Sequence, residues 1–96
     1  MEAQICEAIR NQKIIEFYYD GELRVVEPHC FGITTAGNPG LRAYQIGGYS
    51  SSGRFGWKMY DMSKADDFQI TDNFFDSPRD DYNSEDKGMS EVICAL

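Results

Sequence analysis

The sequence predicts a mainly β domain: a small five-stranded antiparallel barrel with an N-terminal α-helix. Three observations carry that prediction. Alternating β-branched and aromatic residues recur in five short runs, Gly and Pro mark the corners between them at roughly even spacing, and helical apolar periodicity is confined to residues 2–12. Closing the sheet would also remove exposed strand edges, a hazard for a chain of 96 residues.

The helix comes first. Ile5, Ala8 and Ile9 fall at i, i+3 and i+4 and make one apolar stripe, with Cys6 beside it. Glu2 and Glu7 suit its first half, and Arg10 and Lys13 its end, in keeping with the helix dipole. A helix this short needs a sheet to lie on. Residues 13–19 form the first strand, in which Ile15, Phe17 and Tyr19 alternate with Ile14, Glu16 and Tyr18. Asp20 and Gly21 are a hairpin signal. The returning strand runs from Leu23 to about Thr34, bent or bulged at Pro28 and Gly32.

A turn over residues 36–40 leads to a third strand from Leu41 to Tyr49, with a bend at Gly47 and Gly48. Residues 50–53 are a loop, Arg54 to Tyr60 a fourth strand, residues 62–65 a turn or short 3₁₀ segment, and Phe68 to Thr71 a short fifth strand. The predicted core is Ile5, Ala8, Ile9, Ile15, Phe17, Val25, Leu41, Ile46 and Phe68. The barrel domain covers residues 1–75. Residues 76–96 hold six acids against two bases and read as an acidic, flexible C-terminal tail, with Val92, Ile93 and Leu96 as its only docking elements.

Composition bounds the function. The content is 42% hydrophobic and 14% aromatic, enough for one packed domain. A net charge of −7 opposes non-specific binding to nucleic acid or anionic membrane, because phosphate contacts rest on Lys and Arg. No apolar run approaches the ~18 residues of a membrane span. Met1-Glu2-Ala3-Gln4 lacks the layout of a signal peptide. Cys6, Cys30 and Cys94 are an odd set without close spacing and read as reduced thiols in a cytoplasm, Cys6 and Cys30 within the core.

Five segments in order resemble the WYL domain family: Ala8-Ile9; Ile15-Glu16-Phe17-Tyr18-Tyr19; Arg24-Val25-Val26-Glu27-Pro28; Leu41-Arg42-Ala43-Tyr44; and Trp57-Lys58-Met59-Tyr60-Asp61-Met62. The resemblance covers about residues 3–72. Pro39 and Gly40 stand in place of the Trp-Tyr pair that names the family, and Asp61 stands where a second base is expected. The resemblance implies an Sm-like or SH3-like barrel acting as a regulatory, ligand-sensing module. It also implies that Arg24 and Lys58 line one face, near Tyr44, with Arg42 at the rim.

Other constellations are weaker. His29, Cys30 and Cys6 lack the spaced pairs of a zinc site, and neighbouring strand residues point to opposite faces, so neither a metal, a cofactor nor a Cys–His nucleophile pair is expected. The doublets Asp66-Asp67 and Asp80-Asp81 read as solvated surface. Tyr18, Tyr44, Tyr49, Phe55, Trp57 and Tyr60 are more aromatics than a small barrel buries, leaving stacking surface beside Arg42, Arg54 and Lys58. The expected function is therefore non-catalytic: a module binding a protein partner or a small anionic ligand through Arg24, Arg42, Tyr44 and Lys58. A barrel binding single-stranded nucleic acid or nucleotides is the alternative, which the net charge and Asp61 disfavour.

Overall fold

The computed structural model describes residues 1–96. Asp20 and Gly21 both take left-handed backbone angles, φ 54° and 77°, the geometry of a tight two-residue hairpin turn. They join β1 (Lys13–Tyr19) to β2 (Glu22–Thr34). Before them lies α1 (Glu2–Arg10); after them come β3 (Pro39–Gly48), β4 (Gly56–Asp61), a 3₁₀ turn (Met62–Lys64), β5 (Ala65–Phe74) and β6 (Met89–Ala95). The sheet order is β4-β3-β2-β1-β5, every pair antiparallel. The fold is thus mainly β with one short helix.

Two expectations change. The sheet is not a closed five-stranded barrel, since β4 and β5 do not pair. β4 ends at Asp61, whose carboxylate accepts the Ser63 N–H (3.1 Å) and starts the 3₁₀ turn. One hydrogen bond reaches across from β1 instead, the Asp61 N–H donating to the Tyr19 hydroxyl (3.1 Å). The second change is larger: residues 76–96 are not a flexible tail. β6 pairs with residues 30–34 of β2, on the edge that β1 leaves free. A Cβ on Gly32 would collide with the Glu91 carbonyl, so β6 approaches only because β2 carries Gly there. A disulfide joins Cys6 of α1 to Cys94 of β6, so the reduced state expected of these two thiols is corrected. Cys30 alone is free, and buried.

The other boundaries shift for local reasons. β5 is longer than the expected residues 68–71 because two irregularities in its register with β1 keep it paired from Ala65 to Phe74. One is near Asp67, left-handed at φ 52°, which Asp tolerates better than most residues. The unshifted hairpin register puts Val26, not Val25, opposite Ile15, and the shift of β3 between Gly47 and Gln45 passes over Ile46. Val26 and Gln45 are buried where Val25 and Ile46 were expected.

The core lies between α1 and one face of the sheet. Ile5, Ala8 and Ile9 pack with Ile15, Phe17, Val26, Phe31, Leu41, Ala43, Tyr60 and Met62. The opposite face is covered too. Residues 75–88 cross it as a strap, fixed at its start by a reciprocal pair of bonds: the Phe75 N–H donates to the Gln12 carbonyl (2.9 Å), and Gln12 Nε2 donates to the Phe75 carbonyl (2.8 Å).

Candidate functional site

Side chains directly opposite each other in antiparallel strands share a face. Arg24 lies opposite Phe17 and Lys58 opposite Ala43, so both belong to the helix side. Tyr44 lies opposite Glu27 and Trp57, and Arg42 opposite Cys30 and Met59, on the strap side. The four predicted site residues therefore do not converge: Arg24 and Lys58 share a face, and Tyr44 and Arg42 are on the other.

On the strap side both arginines are paired. Arg42 grips Asp86 with both Nε (2.7 Å) and Nη2 (3.1 Å). Those bonds raise the Arg42 guanidinium pKa above its ordinary value and hold the Asp86 carboxyl below its own. Arg79 of the strap makes the same two-pronged pair with Glu27 (2.8 and 3.0 Å) and lays its guanidinium 3.9 Å over the Tyr44 ring. The aromatic centre is His29, with Trp57 edge-on at 4.8 Å, Phe75 stacked at 5.3 Å and Tyr82 tilted at 5.0 Å. Trp57 Nε1 donates to Asp81 (3.0 Å). Burial pushes the Cys30 thiol pKa up, so Cys30 is a poor nucleophile. A cleft of about 290 Å³ opens beside this cluster, lined mainly by Arg42, Trp57, Tyr82, Asp86 and Lys87.

The helix side differs. Arg24 is only 7% exposed, yet neither of the protein's two ion pairs includes it. Its Nη2 donates to the Tyr19 carbonyl (3.0 Å), Nε finds no protein partner, and the guanidinium sits between the Tyr19 and Tyr49 rings at 5.5 and 5.4 Å. The buried Tyr60 hydroxyl also makes no hydrogen bond of good geometry, and desolvation drives its pKa up to about 12 against the opposing pull of Arg24. Lys58 Nζ reaches Ser50 Oγ (3.3 Å), next in sequence to the Tyr49 whose ring covers Arg24. Asp61 turns away: it caps the 3₁₀ turn, and bonds from Ser63 lower its pKa.

Sequence reasoning missed His29, Glu27, Arg79, Tyr82 and Asp86 as members of one cluster. The available signal was the alternation of Glu27 and His29 on a strand beside Tyr44 and Trp57, with an Arg and a Tyr in the acidic segment. No group of three or more His, Cys, Asp or Glu side chains is arranged to hold a metal ion. No helix is long and apolar enough to cross a membrane. Comparison with family models, curated proteins and solved structures gives no match to this chain.

Proposed function

We propose that this chain is a non-catalytic binding module of WYL type that takes an anionic group, from a small ligand or a protein partner, at Arg24 and Lys58. The finer fold in this reading is an Sm-like or SH3-like barrel left open between β4 and β5. The single observation that carries it is Arg24. Arg42 and Arg79 each hold a carboxylate, while Arg24, the most buried of them, holds none. A guanidinium buried without an anion is costly, and an incoming carboxylate or phosphate offsets that cost with charge-assisted hydrogen bonds. Lys58, linked to the same corner through Ser50 and Tyr49, supplies a second charge. Tyr49, 48% exposed, offers apolar surface beside it. Arg42 and Tyr44 leave this version of the site. The Cys6–Cys94 disulfide supports an oxidising compartment over a cytoplasmic one.

The test is calorimetric titration at about 0.15 M salt with phosphate, a dicarboxylate, a nucleoside monophosphate and single-stranded oligonucleotides. The expected result is saturable binding of a small anion, weakened at least ~10-fold by Lys58→Glu, a change of about 1.4 kcal/mol or more. Sub-micromolar oligonucleotide binding abolished by Lys58→Glu would replace this reading with the nucleic-acid one. Absence of binding to every probe, with a partner pull-down indifferent to Arg24→Met and Lys58→Glu, would remove the site altogether.

A further inference from the structure

His29 is fully buried beneath the strap, and both of its ring nitrogens are engaged. Nδ1 lies 2.9 Å from the Glu27 carbonyl oxygen. A carbonyl only accepts, so Nδ1 carries a proton. Nε2 lies 3.1 Å from the Arg79 backbone nitrogen. An N–H only donates, so Nε2 must present its lone pair. These two contacts fix both tautomer and charge: the ring is neutral and protonated on Nδ1.

A second proton has only Nε2 to go to. There it would meet the Arg79 N–H, replacing a hydrogen bond with two opposed donors. It would also place a charge among the rings of Trp57, Phe75 and Tyr82. The groups around the ring are few. From β2 come the Glu27 carboxylate, which holds Arg79, and the Cys30 thiol. From the strap come the Arg79 guanidinium, the Asp81 carboxylate on Trp57 Nε1, and the Tyr82 hydroxyl, which donates to His29's own carbonyl (3.3 Å). β4 contributes Trp57, an uncharged ring. The Arg42–Asp86 pair lies farther along the strap.

We propose that residues 75–88 form an acid-released strap, clamped while His29 is neutral and freed when Nε2 takes a proton. Burial, the largest influence, lowers the His29 pKa against the opposing pull of Glu27 and Asp81. An unfolded or opened strap lets the ring protonate near its ordinary 6.5. The clamp is therefore at full strength above that pH and weakens as pH falls below it. Release leaves the sheet intact, because the Gln12–Phe75 bonds hold one end of the strap and β6 with its disulfide holds the other. What it uncovers is the sheet face carrying Tyr44 and Trp57.

The experiment follows three signals in the intact protein from about pH 8 to about pH 3.5, a range spanning His and carboxyl titration. They are the His29 ring resonances, amide exchange at Arg79 and Tyr82, and emission from Trp57, the only tryptophan. His29 should protonate with a midpoint below 6.5, and the two amides should lose protection at least ~10-fold with that same midpoint, as Trp57 emission moves to the red. His29→Gln keeps one donor and one acceptor without a titrating group, so opening should move down to the carboxylate range. Protonation of His29 with Arg79 and Tyr82 still protected would overturn the proposal. So would opening at one pH in both proteins, which would assign the clamp to Glu27, Asp81 and Asp86. If the Gln variant does not fold, the two midpoints in the unmodified protein decide alone.

Discussion

The two faces of one sheet are built on different physics. Toward α1, alternate residues of the central strands bury Ile15, Phe17, Val26, Leu41 and Ala43 against Ile5, Ala8 and Ile9. Burial of that kind is non-directional, worth roughly 25 cal/mol per Å² of apolar surface. Toward the strap, the intervening residues present Glu27, His29, Arg42, Tyr44 and Trp57 to Arg79, Tyr82 and Asp86. There nearly every contact is a specific pair, strong when complete and costly when one member is removed. One face tolerates approximate partners; the other does not.

The largest effect is expected from loss of the strap face and β6, which the fold should not survive. Truncation after Phe75 deletes the strap, the sixth strand and the disulfide together, and exposes the β2 edge at residues 30–34. We expect loss of cooperative folding, read by circular dichroism during urea denaturation. A truncated chain melting like the full one would return residues 76–96 to the status of a tail.

Next in size is Phe17→Ala. Phe17 is fully buried and meets Tyr60 and Tyr19 edge-on at 5.0 and 6.3 Å. Removing it should cost about 3–5 kcal/mol, a large part of a small domain's stability. The same measurement on Cys6→Ser/Cys94→Ser should show about 2–4 kcal/mol, since the crosslink spans a sequence separation of 88. Free-thiol titration of the unfolded protein should find one thiol, Cys30; three would mean the staple is not formed.

How far the two faces were legible in the sequence follows from the same difference. Ile5, Ala8, Ile9, Ile15, Phe17 and Leu41 announce themselves by period, and the Asp20-Gly21 turn by its chemistry. Their burial needs no knowledge of a partner's position. The error at Ile46 comes from a register shift, which depends on the neighbouring strand and leaves no local trace; the error at Val25 does not, since the two-residue Asp20-Gly21 turn by itself puts Val26, not Val25, opposite Ile15. The strap was invisible because five acids in a polar stretch satisfy the compositional criteria for disorder. Only pairing with Glu27, Arg42 and His29, roughly 50 residues away in sequence, gives residues such as Arg79 and Asp86 a fixed place. The Arg24–Lys58 side was half legible: the resemblance put both on one face, but it could not show that Tyr44 and Arg42 point away.

A smaller effect sharpens the contrast. Arg79→Ala leaves the Glu27 carboxylate, 9% exposed, without its partner. The expected cost is about 1–3 kcal/mol, although Arg79 is itself 39% exposed. Glu27→Gln with Arg79→Met should recover much of that loss, because a buried acceptor is no longer left charged and alone. A double variant as unstable as Arg79→Ala would show that the Arg79 guanidinium stacked on the Tyr44 ring, and not the ion pair, carries the contact.

The smallest effects should differ in sign. Tyr60 and Tyr82 are matched probes, one per face, each with a hydroxyl pKa pushed up to about 12 by desolvation. The Tyr82 hydroxyl donates to the His29 carbonyl, whereas the Tyr60 hydroxyl is buried without a hydrogen bond of good geometry. Tyr82→Phe should therefore cost about 0.5–1 kcal/mol, and Tyr60→Phe should be neutral or stabilising by a few tenths, since it removes an unsatisfied buried group. Alkaline pH gives an independent check. Each raised pKa means the folded state resists ionisation, so stability is intact below the ordinary tyrosine value near 10 and is lost as pH rises toward 12. Either substitution should flatten that loss. A destabilising Tyr60→Phe would mean that its hydroxyl is satisfied in solution, by Arg24 if the loss disappears in an Arg24→Met background, and the helix side would then share the paired logic of the strap.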